Sequence, residues 1–254
     1  MRLNRKTCLF PGLMLMGSSI FVLVYNHWLF VNLAMAFIIV FGFLVYFLAV
    51  HTHTYSHDAM LIFLGRAYIC IALITLLHLL GLISTSNPLL IPTGGRLIEA
   101  LALLTAPLFE RYQARSWFMK MGTILLGAAV FLVSWSGWPF LPASPGCLFN
   151  APGLIDYLVI IMLLMAIPHI LNRARLKEHP AYYLLLSAVG LLVMSELSLI
   201  ILGSEYITGL GTFYWLRLLA YYIMLFVLLT RGIREPYEQL NHAYQETLDA
   251  WGKA

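Results

Sequence analysis

The chain is a succession of eight apolar runs whose connections alternate between basic and free of Lys and Arg, with the one weak inner connection, 51–58, carrying histidines in place of Lys and Arg, and few folds can accept that pattern. The runs fall at about 8–25, 30–50, 59–83, 96–109, 121–136, 152–171, 181–202 and 212–230. A helix needs roughly 20 apolar residues to cross a bilayer. Backbone in hydrocarbon must satisfy its own hydrogen bonds, so each run is expected to be helical. The fourth and fifth are short for a crossing and are expected to be tilted or partly broken. Charged residues make up 10% of the chain, against about 25% in soluble domains, which leaves no material for a separate soluble core. The expected fold class is therefore all-α, a polytopic transmembrane helical bundle of about eight spans. No small-residue cleavage site follows the first run, which reads as a retained helix.

Orientation follows from the loops. Arg2, Arg5 and Lys6 precede the first run; Arg111, Arg115 and Lys120 lie between the fourth and fifth; Arg173, Arg175 and Lys177 follow the sixth; Arg231 and Arg234 follow the eighth. Connections 26–29, 84–95, 137–151 and 203–211 have no Lys or Arg. Basic loops stay cytoplasmic, so both termini are expected in the cytoplasm of a multi-pass protein of the bacterial inner membrane. The net charge of +4 is a topology signal and does not point to nucleic acid.

Ionisable residues inside the runs carry the functional signal. His78, Arg96, Glu99, Asp156, Glu196 and Arg217 come from five runs, and depth counted at about 1.5 Å per residue puts all six in the outer half. Arg66 and His169 fall toward the cytoplasmic half. An intramembrane charge costs roughly 2.5–3.5 kcal/mol and faces a bundle interior or cavity. Arg96 and Glu99 are three apart and share a helix face. The set is either an outward-facing polar pocket or a group of structural ion pairs that fix helix packing. His78 alone reads as a packing histidine. Asp156 sits beside Pro152 and Gly153 and reads as a helix cap. Gly94 and Gly95 precede Arg96 at an expected helix start, where free N–H groups would face an anion.

Other chemistry is thinly represented. Cys8, Cys70 and Cys147 give no disulfide framework or metal spacing. HTHTYSHD, residues 51–58, reads as a solvated inner loop, and His78 and His169 lie at depths too different to share a haem. No phosphate loop, nucleophile elbow or HExxH motif is present, so no catalytic residues are expected and the sequence names no cofactor. The polar tail after residue 235 places Leu240, Tyr244, Leu248 and Trp251 on one stripe. That stripe is either an amphipathic segment on the membrane or the first turns of a signalling helix. The chain divides into an integral membrane part, 1–235, and a cytoplasmic linker, 236–254.

Three stretches resemble the third class of bacterial membrane-associated sensor domains. They are FLGRAYICIALITLLHLLG (63–81), GGRLIEALALLTAP (94–107), and SELSLIILGSEY followed by RLLAYYIMLFVLLTRGIREPYEQL (195–206 and 217–240). Thr75 stands where the pattern has an Asp, and Phe213-Tyr214 where a Gly-His often stands. The resemblance implies an input module for a diguanylate cyclase or histidine kinase. It implies ligand-binding positions at His78, Arg96, Glu99, Glu196 and Arg217. Signal would leave through Arg231, Arg234, Pro236, Tyr237 and Leu240. The expected partners are the bilayer, an unidentified small ligand, a second copy of the chain, and an output domain in cis or on a partner protein. A small-molecule or ion transporter or channel is the alternative, although no internal repeat of the transporter kind is evident.

Overall fold

The structure is a computed structural model that describes residues 27–56, 59–80, 90–112, 151–177, 180–202, 207–230 and 235–253. Among these residues the chain is all-helical. In chain order the helices are α1 (His27–Ser56), α2 (Ala59–Leu79), α3 (Leu90–Tyr112), α4 (Ala151–Lys177), α5 (Pro180–Leu202), α6 (Ile207–Leu229) and α7 (Glu235–Lys253). Five of them, α1, α2, α4, α5 and α6, are long and apolar enough to cross a membrane. The expected spans at 8–25 and 121–136 lie outside the described residues, as do Arg231 and Arg234.

Helices α1 to α6 form a closed ring in chain order. Each packs on its neighbours in sequence, and α1 packs against α6. The tightest seam is between α1 and α2. A Cβ on Gly42 would lie 2.8 Å from the Ala72 Cβ and 2.9 Å from the Tyr68 carbonyl oxygen, and one on Gly65 would lie 2.4 Å from the Ala49 Cβ. Small residues bring these helices together, as membrane helices lacking a hydrophobic drive between them require. The lumen is filled by side chains including Tyr68, Leu103, Leu163, Leu185, Leu192, Tyr221 and Met224. The outside is apolar as well: Leu29, Leu33, Phe37, Val40, Leu44 and Phe47 are exposed along one stripe of α1. A contiguous apolar face of that size suits lipid and not water.

The structure changes three expectations. Helix α3 is neither short nor broken: its 23 residues, at about 1.5 Å each, match the ~30 Å hydrocarbon thickness. It starts at Leu90, so Gly94 and Gly95 lie beyond the first four residues, whose amides are the ones left free. Their amides therefore do not form a free anion-binding end. Helix α1 runs on to Ser56, so His51 and His53 belong to a helix where a loop was expected. Beyond the ring, α7 opens with Pro236 in its first turn, a position that tolerates proline. Its Tyr237, Leu240, Tyr244, Leu248 and Trp251 are exposed.

Candidate functional site

The lumen holds five charged side chains, spread from the middle of the ring toward one end, the end expected outside from the loop charges. Glu196 of α5 is the centre. Its Oε1 accepts from Arg96 Nε at 3.0 Å and from Arg217 Nη1 at 3.0 Å, and its Oε2 accepts from Arg96 Nη2. Arg96 Nη2 also donates to Asp156 of α4. Arg217 Nη2 donates to Glu99 of α3. Glu99 accepts a further hydrogen bond from the Tyr68 hydroxyl of α2, at 2.9 Å. One network thus ties α2, α3, α4, α5 and α6 across a lumen whose walls are held by apolar packing.

Burial explains why the charges need one another. Glu196 is 1% exposed, and Arg96, Glu99 and Arg217 are also buried. Removing a charge from water costs several kcal/mol per ion, and only good geometry with further hydrogen bonds repays it. Each guanidinium here reaches two carboxylates, as its planar fork of donors allows. Phe213 lies against both, with the Arg96 and Arg217 guanidinium carbons 5.4 Å and 5.1 Å from its ring centroid. That distance suits a cation over an aromatic face and fixes the two arginines on either contact of one ring.

Four of the five expected residues meet in this network: Arg96, Glu99, Glu196 and Arg217. His78 makes none of its ion pairs. It is half-buried and lines an open cleft beside it, together with Arg96, Phe213, Arg217 and Tyr221. Arg217 is the eleventh residue of the 23-residue α6, because that helix starts five residues before the expected position. The cluster therefore reaches close to mid-helix, deeper than the sequence suggested. Arg66 and His169 stay outside the network, as their positions suggested. The expected transmission residues Tyr237 and Leu240 are exposed on α7.

Asp156, one of the six residues placed in the outer half, joins the network, and Tyr68 and Tyr221 were not expected. Asp156 is no cap: α4 starts at Ala151, and the carboxylate, 17% exposed, pairs with Arg96. Tyr68 and Tyr221 pack edge to face, with centroids 4.9 Å apart and planes at 79°. Tyr221 lies four residues beyond Arg217, on the same helix face, and that spacing could have marked it. Tyr68 meets Glu99 across 31 residues, and no local pattern announces such a pair. The Tyr221 hydroxyl is buried near Glu99 and Arg217 but makes no hydrogen bond of standard geometry with either. Among the described residues no group of His, Cys, Asp or Glu side chains is placed to hold a metal ion.

Comparison with known proteins adds the family. A family model described as a membrane-associated sensor domain, MASE3, matches residues 22–236. No curated protein matches the chain, and no solved structure does. With most of its length matched, the chain belongs to the MASE3 family of membrane-associated sensor domains, and is a multi-pass membrane protein whose own role is sensory input and not catalysis.

Proposed function

We propose that this sensor domain receives its input at the lumen network, from the periplasmic side of a bacterial inner membrane. The input then passes along α6 to a cytoplasmic output domain of the diguanylate cyclase or histidine kinase type. The ligand-binding set is His78, Arg96, Glu99, Glu196 and Arg217. The observation that supports this reading most is Glu196 bridging Arg96 and Arg217. It couples α3 and α5 to α6, the membrane helix that precedes the exposed α7. A ligand shifts a packing equilibrium only by binding its two states with different affinity. A network in which one carboxylate serves two arginines offers two such states, because either arginine can be released to a new acceptor. The displacement would leave through Arg231, Arg234, Pro236, Tyr237 and Leu240, with a second copy of the chain pairing along α7.

The test is a fusion of the chain to a diguanylate cyclase, read by a cyclic di-GMP reporter across growth conditions that change the wild-type output. Glu196→Gln and Arg217→Ala should each hold output at one level in every condition, while the protein remains in the membrane fraction. Wild-type responses from both variants would overturn the reading. Solute flux in proteoliposomes would favour the transport alternative.

A further inference from the structure

Two polar side chains on the outside of α4 take no part in the lumen network. Leu158, Ile161, Met165, His169 and Asn172 are all exposed. Their spacing of 3, 4, 4 and 3 sets them on one stripe of the helix. The exposed stripe of α1 is apolar from Leu29 to Phe47. Ser187, exposed on α5, bonds the Leu184 carbonyl of its own helix. His169 and Asn172 have no hydrogen bond of that kind among the described residues.

Depth makes these two groups costly. The membrane-crossing stretch of α4 runs from Asp156 to Arg175. Asn172 and His169 lie three and six residues inside its end at Arg175, about 4.5 Å and 9 Å at 1.5 Å per residue. Hydrocarbon offers neither donor nor acceptor, and a polar side chain is costly to leave unbonded there. Arg175 is also exposed, but it stands at the boundary and its long side chain reaches the headgroups. Asn172 is too short for that, and His169 is too deep. Polar side chains at such depth face protein, and Asn and His bond across pairs of membrane helices.

The stripe itself selects the partner. Its spacing is that of a left-handed helix pair, with Leu158, Met165 and Asn172 seven apart, and an Asn at one such position sets register and partner number. A side-chain amide carries both donors and an acceptor, so Asn172 complements itself. Two copies in one membrane share an orientation. A two-fold axis along the membrane normal therefore sets their α4 helices parallel and brings like residues together. From Leu158 to Asn172 the stripe has no Lys, Arg, Asp or Glu, so this pairing opposes no like charges.

We propose that a second copy of the chain packs in parallel against this face of α4, with the Asn172 side chains of the two copies hydrogen-bonded to each other. This interface lies within the membrane and is additional to the pairing along α7.

The test uses the full chain in liposomes of neutral phospholipid, with Cys8, Cys70 and Cys147 replaced by alanine. Single cysteines are then introduced as Ile161→Cys, Met165→Cys or, on the exposed face of α1, Phe37→Cys. Mild oxidation should link the first two into dimers and leave the third monomeric. Energy transfer between labelled copies, diluted into increasing lipid, measures the affinity. Asn172→Leu should weaken dimerisation about 3- to 15-fold, the range for an interhelical hydrogen bond in a membrane. Asn172→Gln keeps the amide and should recover most of that loss. Leu240→Glu with Leu248→Glu, on α7, should leave the Met165→Cys link in place. Linking at Phe37→Cys alone, or at none of the three, would overturn the proposal. So would an affinity unmoved by Asn172→Leu, or loss of the Met165→Cys link in the α7 variant. Binding of a labelled anionic phospholipid without linking, abolished by both Arg175→Gln and Asn172→Leu, would assign the face to headgroups and overturn it as well. None of these readouts involves the lumen, so failure here leaves the fusion assay with Glu196→Gln and Arg217→Ala unaffected.

Discussion

Arg217→Met, with and without Glu99→Gln, isolates what charge contributes inside the ring. Methionine keeps an unbranched side chain and removes the guanidinium. Glu196 would retain Arg96, but Glu99 would be left with neutral hydroxyls, Tyr68 bonded to it and Tyr221 nearby, and with no cation among the described residues. The network would fall from one negative charge to two. Stripping one partner from a buried pair costs about 3–5 kcal/mol. Interhelical hydrogen bonds in membranes average about 0.6 kcal/mol and reach about 1.7, so a loss near 3 kcal/mol would exceed what bonding between neutral groups supplies. Glu99→Gln added to Arg217→Met removes the orphaned carboxylate and restores the original charge sum. The pair should therefore recover at least about 1.5 kcal/mol over Arg217→Met alone, more than a tenfold change in the folding equilibrium. The assay is reversible unfolding of all four proteins of the cycle in mixed micelles or bicelles. Two results would refute the reasoning: a single-variant loss below about 1 kcal/mol, or additivity within about 0.5 kcal/mol, as for independent sites.

Other variants probe separate parts of the site. Glu196→Gln should cost about 3 kcal/mol and Asp156→Asn about 1 or less, because Glu196 accepts three hydrogen bonds at 1% exposure whereas Asp156 has one partner at 17%; the same unfolding assay ranks them. Gly42→Val should cost about 1–3 kcal/mol through overpacking, since even its Cβ meets Ala72 and the Tyr68 carbonyl under 3 Å. Gly190→Ala, with nothing within 4 Å, should be neutral or stabilise by up to about 1 kcal/mol. Phe213→Leu should lower stability by about 1–2 kcal/mol, read by thermal unfolding, through loss of a ring shared by two cations.

The charged members of the site could be read from the sequence because hydrocarbon makes each of them conspicuous. Arg96, Glu99, Glu196 and Arg217 interrupt runs that have no other reason to carry charge, and the loop charges put all four at one end. Asp156 was placed in the outer-half set, but its neighbours Pro152 and Gly153 resemble a helix boundary and gave it a second reading as a cap; the helix had begun at Ala151. Tyr68 and Tyr221 escaped because tyrosine passes as an apolar aromatic within a span, and its hydroxyl gives no signal until a partner arrives from another helix. The start of α3 was hidden by Pro92, Gly94 and Gly95, which read as a loop. Proline in a first turn breaks nothing, and the glycines there lie within the helix that delivers Arg96.

Two kinds of force divide the work in this ring, and the division bears on how a sensor of this design can move. Around the perimeter, helices adjacent in sequence meet through apolar side chains and, between α1 and α2, through glycines with no space to spare. Across the lumen, α3, α4, α5 and α6 are joined by ion pairs converging on Glu196 and its two arginines. Packing of the first kind is short-ranged and stiff. Ion pairs can be exchanged for other acceptors at small displacement, provided none is left unmatched. An input that offers Arg96 or Arg217 a new acceptor can therefore shift α6 against α3 and α5 while the perimeter stays closed. The same input delivered to the α1–α2 seam would have to break packing before anything moved, which is why the proposed function places the input at the lumen, where new acceptors for Arg96 or Arg217 would act on α6 directly.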